Sequence, residues 1–107
     1  DCFYVWCAGD GVYKVGSTTR RTGSKRARDV ARGFGLTVQA LHLFWVPDAL
    51  AVEAFALSLG TPHTMQAKNT TTGRTEFRAY TTEELATVIA HATRIQSENF
   101  VPSPARI

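Results

Sequence analysis

The chain has 107 residues, 44% of them hydrophobic and 20% charged, enough for one compact domain and too few for two. Its apolar residues are dispersed, and no stretch approaches the roughly 20 uncharged apolar residues that a membrane-spanning helix needs. No membrane partner is expected, and the net charge of +3 becomes informative through where it sits.

Residues 2–7 (CFYVWC) are aromatic and β-branched, and 8–11 (AGDG) form a turn signal before 12–16 (VYKVG), so the chain opens on a β-hairpin. Strand alternation places Tyr4 and Trp6 on one face and Phe3 and Val5 on the other. Cys2 and Cys7, five residues apart, fall on opposite faces roughly 17 Å apart, beyond disulfide reach, and are expected as two buried thiols. With those two cysteines and the scattered His42, His63 and His91, no zinc-ligand spacing appears. The sequence begins directly on a strand-like run without a signal peptide, as an excised domain would.

A polar stretch over 17–23 leads to Ser24, a residue suited to cap a helix from Lys25 to near Gly33. Residues 36–46 alternate and are rich in Leu, Val, Phe and Trp, a third strand that Pro47 ends. Asp48 caps an apolar helix over 49–59, closed by Gly60 and Pro62. Residues 63–73 (HTMQAKNTTTG) read as a long polar loop, and 75–80 as a short strand. Thr81 with Glu84 makes a capping box for a last helix reaching Gln96 or Asn99, and 101–107 form an extended tail. The order β-β-α-β-α-β-α predicts one α+β domain over 1–100, a small central antiparallel or mixed sheet flanked by helices.

Charge is uneven along this order. Residues 1–33 hold seven basic side chains (Lys14, Arg20, Arg21, Lys25, Arg26, Arg28, Arg32) against Asp1, Asp10 and Asp29, a net +4, whereas 34–107 hold five basic against six acidic, a net −1. A basic cluster on one element is the footprint of a phosphate-rich partner, because neutralising phosphates releases counterions. A solvated basic helix accounts for it equally.

Two residues resist a purely structural account. Between Gly33 and Pro62 only Asp48 and Glu53 are charged. The helical neighbours of Glu53 are Ala49, Leu50, Ala56 and Leu57, so its carboxylate leaves an apolar face and calls for a cation or a metal; a Glu at the stripe's edge, or one paired with Arg for stability, is the alternative. Lys14 stands mid-strand beside Gly16, on the face opposite Tyr13 and Val15. It is either a general base whose amine is tuned by burial or neighbouring arginines, or an edge-strand charge that discourages aggregation. A phenol, an amine, a guanidinium and a carboxylate from four successive elements suit phosphodiester cleavage, with the carboxylate holding a divalent ion and the cations meeting phosphorane charge.

A strand with Phe3-Tyr4-Val5, a turn, then Lys14-Val15-Gly16-Ser17-Thr18, an Arg on the next helix and a Glu on a later one resembles the GIY-YIG nuclease superfamily. More specifically it resembles the branch, frequent in phage and bacterial genomes, whose second motif reads Lys-Ile-Gly. Further pieces are residues 26–30, Val52-Glu53 and Thr75-Glu76-Phe77 followed by 81–85, and the match covers roughly 2–90. The resemblance implies Tyr4 as the first-motif tyrosine, Lys14 in place of the second-motif tyrosine, Arg26 as the helix arginine with Arg28 as competitor, and Glu53 as the metal ligand. Arg74 and Glu76 match the terminal segment, Tyr13 belongs to the second motif, and Asn69 is the candidate for a late asparagine. The sequence departs from the family pattern at Cys2, where a glycine is expected, at Leu57, where this branch carries a histidine, and in the long interval from Gly16 to the arginine.

The expectation is therefore a metal-dependent endonuclease using Mg²⁺ or Mn²⁺ on DNA, duplex by preference. Arg20, Arg21, Lys25, Arg28 and Arg32 would grip flanking phosphates without reading bases. The setting would be cytoplasmic, in a phage-encoded or delivered protein, as part of a longer chain or as a homodimer. The alternatives are a DNA-binding module that keeps the fold without the chemistry, and a toxic payload that shares the chemistry.

Overall fold

The computed structural model describes residues 1–18, 23–63 and 77–99. The apolar alternation at the start of the chain becomes β1 (Cys2–Gly9), which turns into β2 (Val12–Thr18). Gly9, Asp10 and Gly11 all take positive φ, 108°, 52° and 74°, the left-handed backbone that glycine and aspartate tolerate in tight hairpins. The register sets Tyr4 opposite Gly16 and Trp6 opposite Lys14, with a shift between Cys7 and Gly9.

Helix α1 (Gly23–Gly33) follows, then β3 (Gln39–Trp45), α2 (Ala49–Leu57), β4 (Thr61–Pro62), β5 (Phe77–Ala79) and α3 (Thr82–Glu98). The strands form one sheet in the order β3-β1-β2-β5-β4, every neighbouring pair antiparallel. The chain is thus α+β, with β2 in the middle of the sheet. Helix α1 packs on one face, where Ala27, Val30, Ala31 and Phe34 meet Tyr4, Trp6 and Phe77. Helices α2 and α3 cover the other, where Val52, Ala56, Val88 and Ala92 meet Phe3, Val5 and Val15. The alternation read from the first strand is therefore the division between two cores.

Several boundaries differ from the sequence reading. Helix α1 includes Gly23 and Ser24, so Ser24 lies inside the helix and does not cap it. The helix ends at Gly33 as read, but the glycine that closes it is Gly35: Gly35 has φ +69°, its N–H donates to the Arg32 carbonyl, and the Leu36 N–H reaches back to Ala31 at 2.9 Å. This paired closure is favoured when glycine follows the last turn and an apolar residue comes next to pack down, as Leu36 does against the α1 core. Those bonds commit Leu36 to the helix end and delay β3 to Gln39. Helix α2 ends at Leu57, and Thr61–Pro62 adds a short strand that the sequence reading had merged with the helix stop, giving β-β-α-β-α-β-β-α. Pro62 fits because β4 is the sheet edge, where a missing N–H breaks no ladder. Cys2 and Cys7 are free thiols, Cys2 buried and Cys7 half-buried. None of the described helices is long and apolar enough to cross a membrane.

The capping box forms as read: Thr81 Oγ1 accepts from the Glu84 N–H at 3.1 Å and the Glu84 carboxylate accepts from the Thr81 N–H at 2.9 Å. The same carboxylate also accepts from Gly60 N–H at 3.1 Å, tying α3 to the start of β4. These backbone hydrogen bonds, Thr81 first, hold Glu84 below the usual carboxylate range. The expected consequence is that Thr81→Ala lowers unfolding free energy by about 1 kcal/mol, read as a lower urea midpoint with unchanged slope.

Candidate active site

The centre of the site is a consequence of one missing side chain. Gly16 faces Tyr4 across the β1–β2 ladder, and a Cβ built on Gly16 would overlap the Cζ and Oη of Tyr4. The tyrosine ring therefore lies over the β2 backbone where any other residue would project. Two residues earlier on the same face, the Lys14 ammonium stands 5.5 Å from the centre of that ring and donates to the Val15 carbonyl at 2.7 Å. Tyr4 and Lys14 are each only 1% exposed.

Lys14 is not the edge-strand charge that a strand lysine usually is. It sits in the central strand, paired with Trp6 on β1 and Phe77 on β5, and it is the one buried charged side chain among the described residues. Trp6 and Phe77 meet edge to face at 5.9 Å, so the lysine stem lies among aromatic rings. An ammonium so placed costs several kcal/mol unless polar groups meet it, and the Val15 carbonyl is one that does.

Arg26 belongs to the first turn of α1, half-buried beside the fully buried Ala27, on the face of the sheet that carries Tyr4 and Lys14. Arg28, its competitor, is exposed and lines a groove with Arg32 and Leu36. Glu53 approaches from the opposite layer. It is half-buried on α2, between Val52, buried against β1 and β2, and the exposed Ala54, with Ala49 and Ala56 buried one turn either way. The structure thus brings Tyr4, Lys14 and Gly16 together, with Arg26 on the same side of the sheet, and places Glu53 on the helix layer that covers the other side.

Two further expectations change. Tyr13 is one residue out of phase with Lys14 and so faces the other core, where its ring packs 6.0 Å from Tyr80. Burial and the neighbouring Cys7 thiol push its phenol up. It supports the hairpin and stands apart from Tyr4 and Lys14. On α1, Lys25 and Arg32 are exposed but not uncommitted: Asp29 accepts from Lys25 at 3.0 Å and lies 3.6 Å from Arg32. The Lys25 hydrogen bond, aided by the nearby charges, holds Asp29 below the usual carboxylate range, so this exposed trio stays charged until the pH falls below that range. The i, i+4 and i, i+3 spacings of this trio were a readable signal that the phosphate-gripping assignment passed over. Arg20, Arg21, Asn69, Arg74 and Glu76 lie outside the described residues.

Among the described residues no three His, Cys, Asp or Glu side chains gather as a metal cage. A single half-buried carboxylate fits a hard divalent ion of the Mg²⁺ kind, which binds through one or two carboxylates and fills its shell with water and substrate phosphate. Comparison with protein-family models, curated proteins and solved structures finds no match to this chain.

The Gly16 account predicts coupling between two positions. Gly16→Ala should cost about 1–3 kcal/mol through overpacking, and in a Tyr4→Leu background the same change should cost clearly less. Additive losses in a denaturation cycle would show that the ring does not occupy that space.

Proposed function

We propose that this chain is a metal-dependent DNA endonuclease domain of the GIY-YIG type. The observation that carries the reading is the buried phenol and amine, Tyr4 and Lys14, packed together over Gly16 in the middle of the sheet. A fold under no functional demand gains little from a lysine in its central strand, since an apolar residue of similar volume serves stability as well or better.

In this reading Lys14, in its neutral form, takes the proton from the attacking water, and Tyr4 orients that water by its hydroxyl. Arg26, from the first turn of α1, meets the charge that accumulates on the phosphate. Glu53 would hold Mg²⁺ or Mn²⁺, which when bound supplies Lewis-acid stabilisation to the scissile phosphate and the leaving oxygen. The exposed Arg28, and Lys25 and Arg32 beside Asp29, supply sequence-independent attraction to the backbone.

One observation favours a second reading. Tyr4 and Lys14 are almost closed to solvent, which suits a DNA-binding module that retained the fold and lost the chemistry. The two readings part in a plasmid cleavage assay with Mg²⁺ or Mn²⁺. The nuclease reading predicts cleavage by the parent, abolished by EDTA and reduced at least about 100-fold in Glu53→Ala and Lys14→Met. Lys14→Met should melt no lower than the parent because it removes a buried charge at nearly constant volume. Equal cleavage by all three proteins would reject the assignment, and salt-sensitive binding without cleavage by any of them would support the second reading.

A further inference from the structure

The edge of the sheet carries a residue that neither core nor the proposed chemistry uses. Trp45, the last residue of β3, is 48% exposed. With Gln96, Ser97 and Asn99 from the end of α3 it lines a cavity of about 580 Å³, within the range of small-ligand sites.

Its position relative to Tyr4 follows from the register. Trp45 pairs with Cys2, and Cys2 pairs with Thr18, so by register Trp45 shares the face of Tyr4 and Gly16, at the β3 edge that the end of α3 borders from the other face. Two residues along and one strand across, Trp45 and Tyr4 have backbones about 8 Å apart, a span that a dinucleotide can bridge.

The polar groups of the cavity are already sorted. Gln96 Oε1 accepts from the Trp45 backbone N–H at 2.6 Å, which closes that end of the edge strand and leaves Nε2 as a donor. Asn99 Nδ2 donates to the Ile95 carbonyl at 2.8 Å, which leaves Oδ1 as an acceptor. Helix α3 ends here with no basic residue in its last turn, so the partial negative charge of its C-terminus favours an exocyclic amine over an anion in the cavity. An exposed indole beside one amide donor and one amide acceptor matches the face and edge of a nucleobase, not a backbone phosphate.

We propose that Trp45 is a stacking platform for an unpaired base flanking the scissile phosphate, with Gln96 and Asn99 against the base edge. The site takes a single-stranded or locally opened segment of DNA. This rests on the nuclease reading for the identity of the polymer, and it adds a strand preference that the reading lacks.

The test is binding of a short labelled single-stranded DNA in EDTA, by anisotropy and by tryptophan emission. The parent's emission should be quenched. Trp45→Phe, whose remaining tryptophan is the buried Trp6, should lose the quench and keep most of the affinity. Trp45→Ala should bind the intact strand about tenfold more weakly and bind a fully abasic strand as the parent does. Absence of binding to the intact strand, equal affinities of parent and Trp45→Ala, or an equal loss on the abasic strand would overturn the proposal. Because no cleavage occurs in EDTA, stacking by a chain that never cleaves would sink the nuclease reading alone. Cleavage by a chain indifferent to Trp45→Ala would sink this one alone.

Discussion

A tyrosine ring laid across a glycine is the contact on which this account depends. With Gly16 opposite Tyr4 the phenol crosses from β1 onto β2, and the aromatic surface it brings shelters Lys14 within 5.5 Å. A side chain at Gly16 would push the ring away and open the lysine's surroundings. The spacing Lys14-Val15-Gly16 is therefore one steric unit: alternation puts positions 14 and 16 on the same face and Val15 in the opposite core.

The rest of the fold holds that unit in the middle. β2 is flanked on both sides, α1 closes the face that carries Tyr4 and Lys14, and α2 with α3 close the other. The second core is tied by directed bonds as well as by burial. The Tyr80 hydroxyl donates to the Ala56 carbonyl at 2.6 Å, and burial pushes that phenol to about 12, so it remains a donor over the whole working pH range. Glu84 caps α3 and holds Gly60 together, and Asp48 caps α2, accepting from Ala51 N–H at 3.1 Å. The helix that carries Glu53 is thus set at its start by Asp48 and near its end by Ala56.

Local chemistry made much of this readable in the sequence. The AGDG turn between two alternating runs specified the hairpin, and with it the faces of Tyr4, Trp6, Phe3 and Val5; Thr81 and Glu84 marked the start of α3 to the residue. What escaped depended on partners distant in the chain. Thr61–Pro62 is a strand only because β5 lies beside it, and the central position of β2, which turns Lys14 from an edge charge into a buried one, follows from β5 pairing to it. Gly33 marked the end of α1, but the closing role of Gly35 depends on Leu36 finding an apolar surface. Tyr13 was grouped with the site by its nearness to Lys14 in the chain, although strand alternation already sent it to the other face. The exposure of Trp45 was hidden inside a run whose other large hydrophobic residues are at least partly buried.

The proposed function requires that Glu53, on α2, and the Tyr4–Lys14 pair, on the opposite face of the sheet, act on one divalent ion. Its most direct measurement is paramagnetic broadening of backbone amide resonances on titration with Mn²⁺. The account predicts that Glu53, Gly16 and Tyr4 broaden together at substoichiometric metal, and that Glu53→Gln abolishes all three effects. Broadening that leaves Gly16 and Tyr4 sharp, or that persists unchanged in Glu53→Gln, would contradict it.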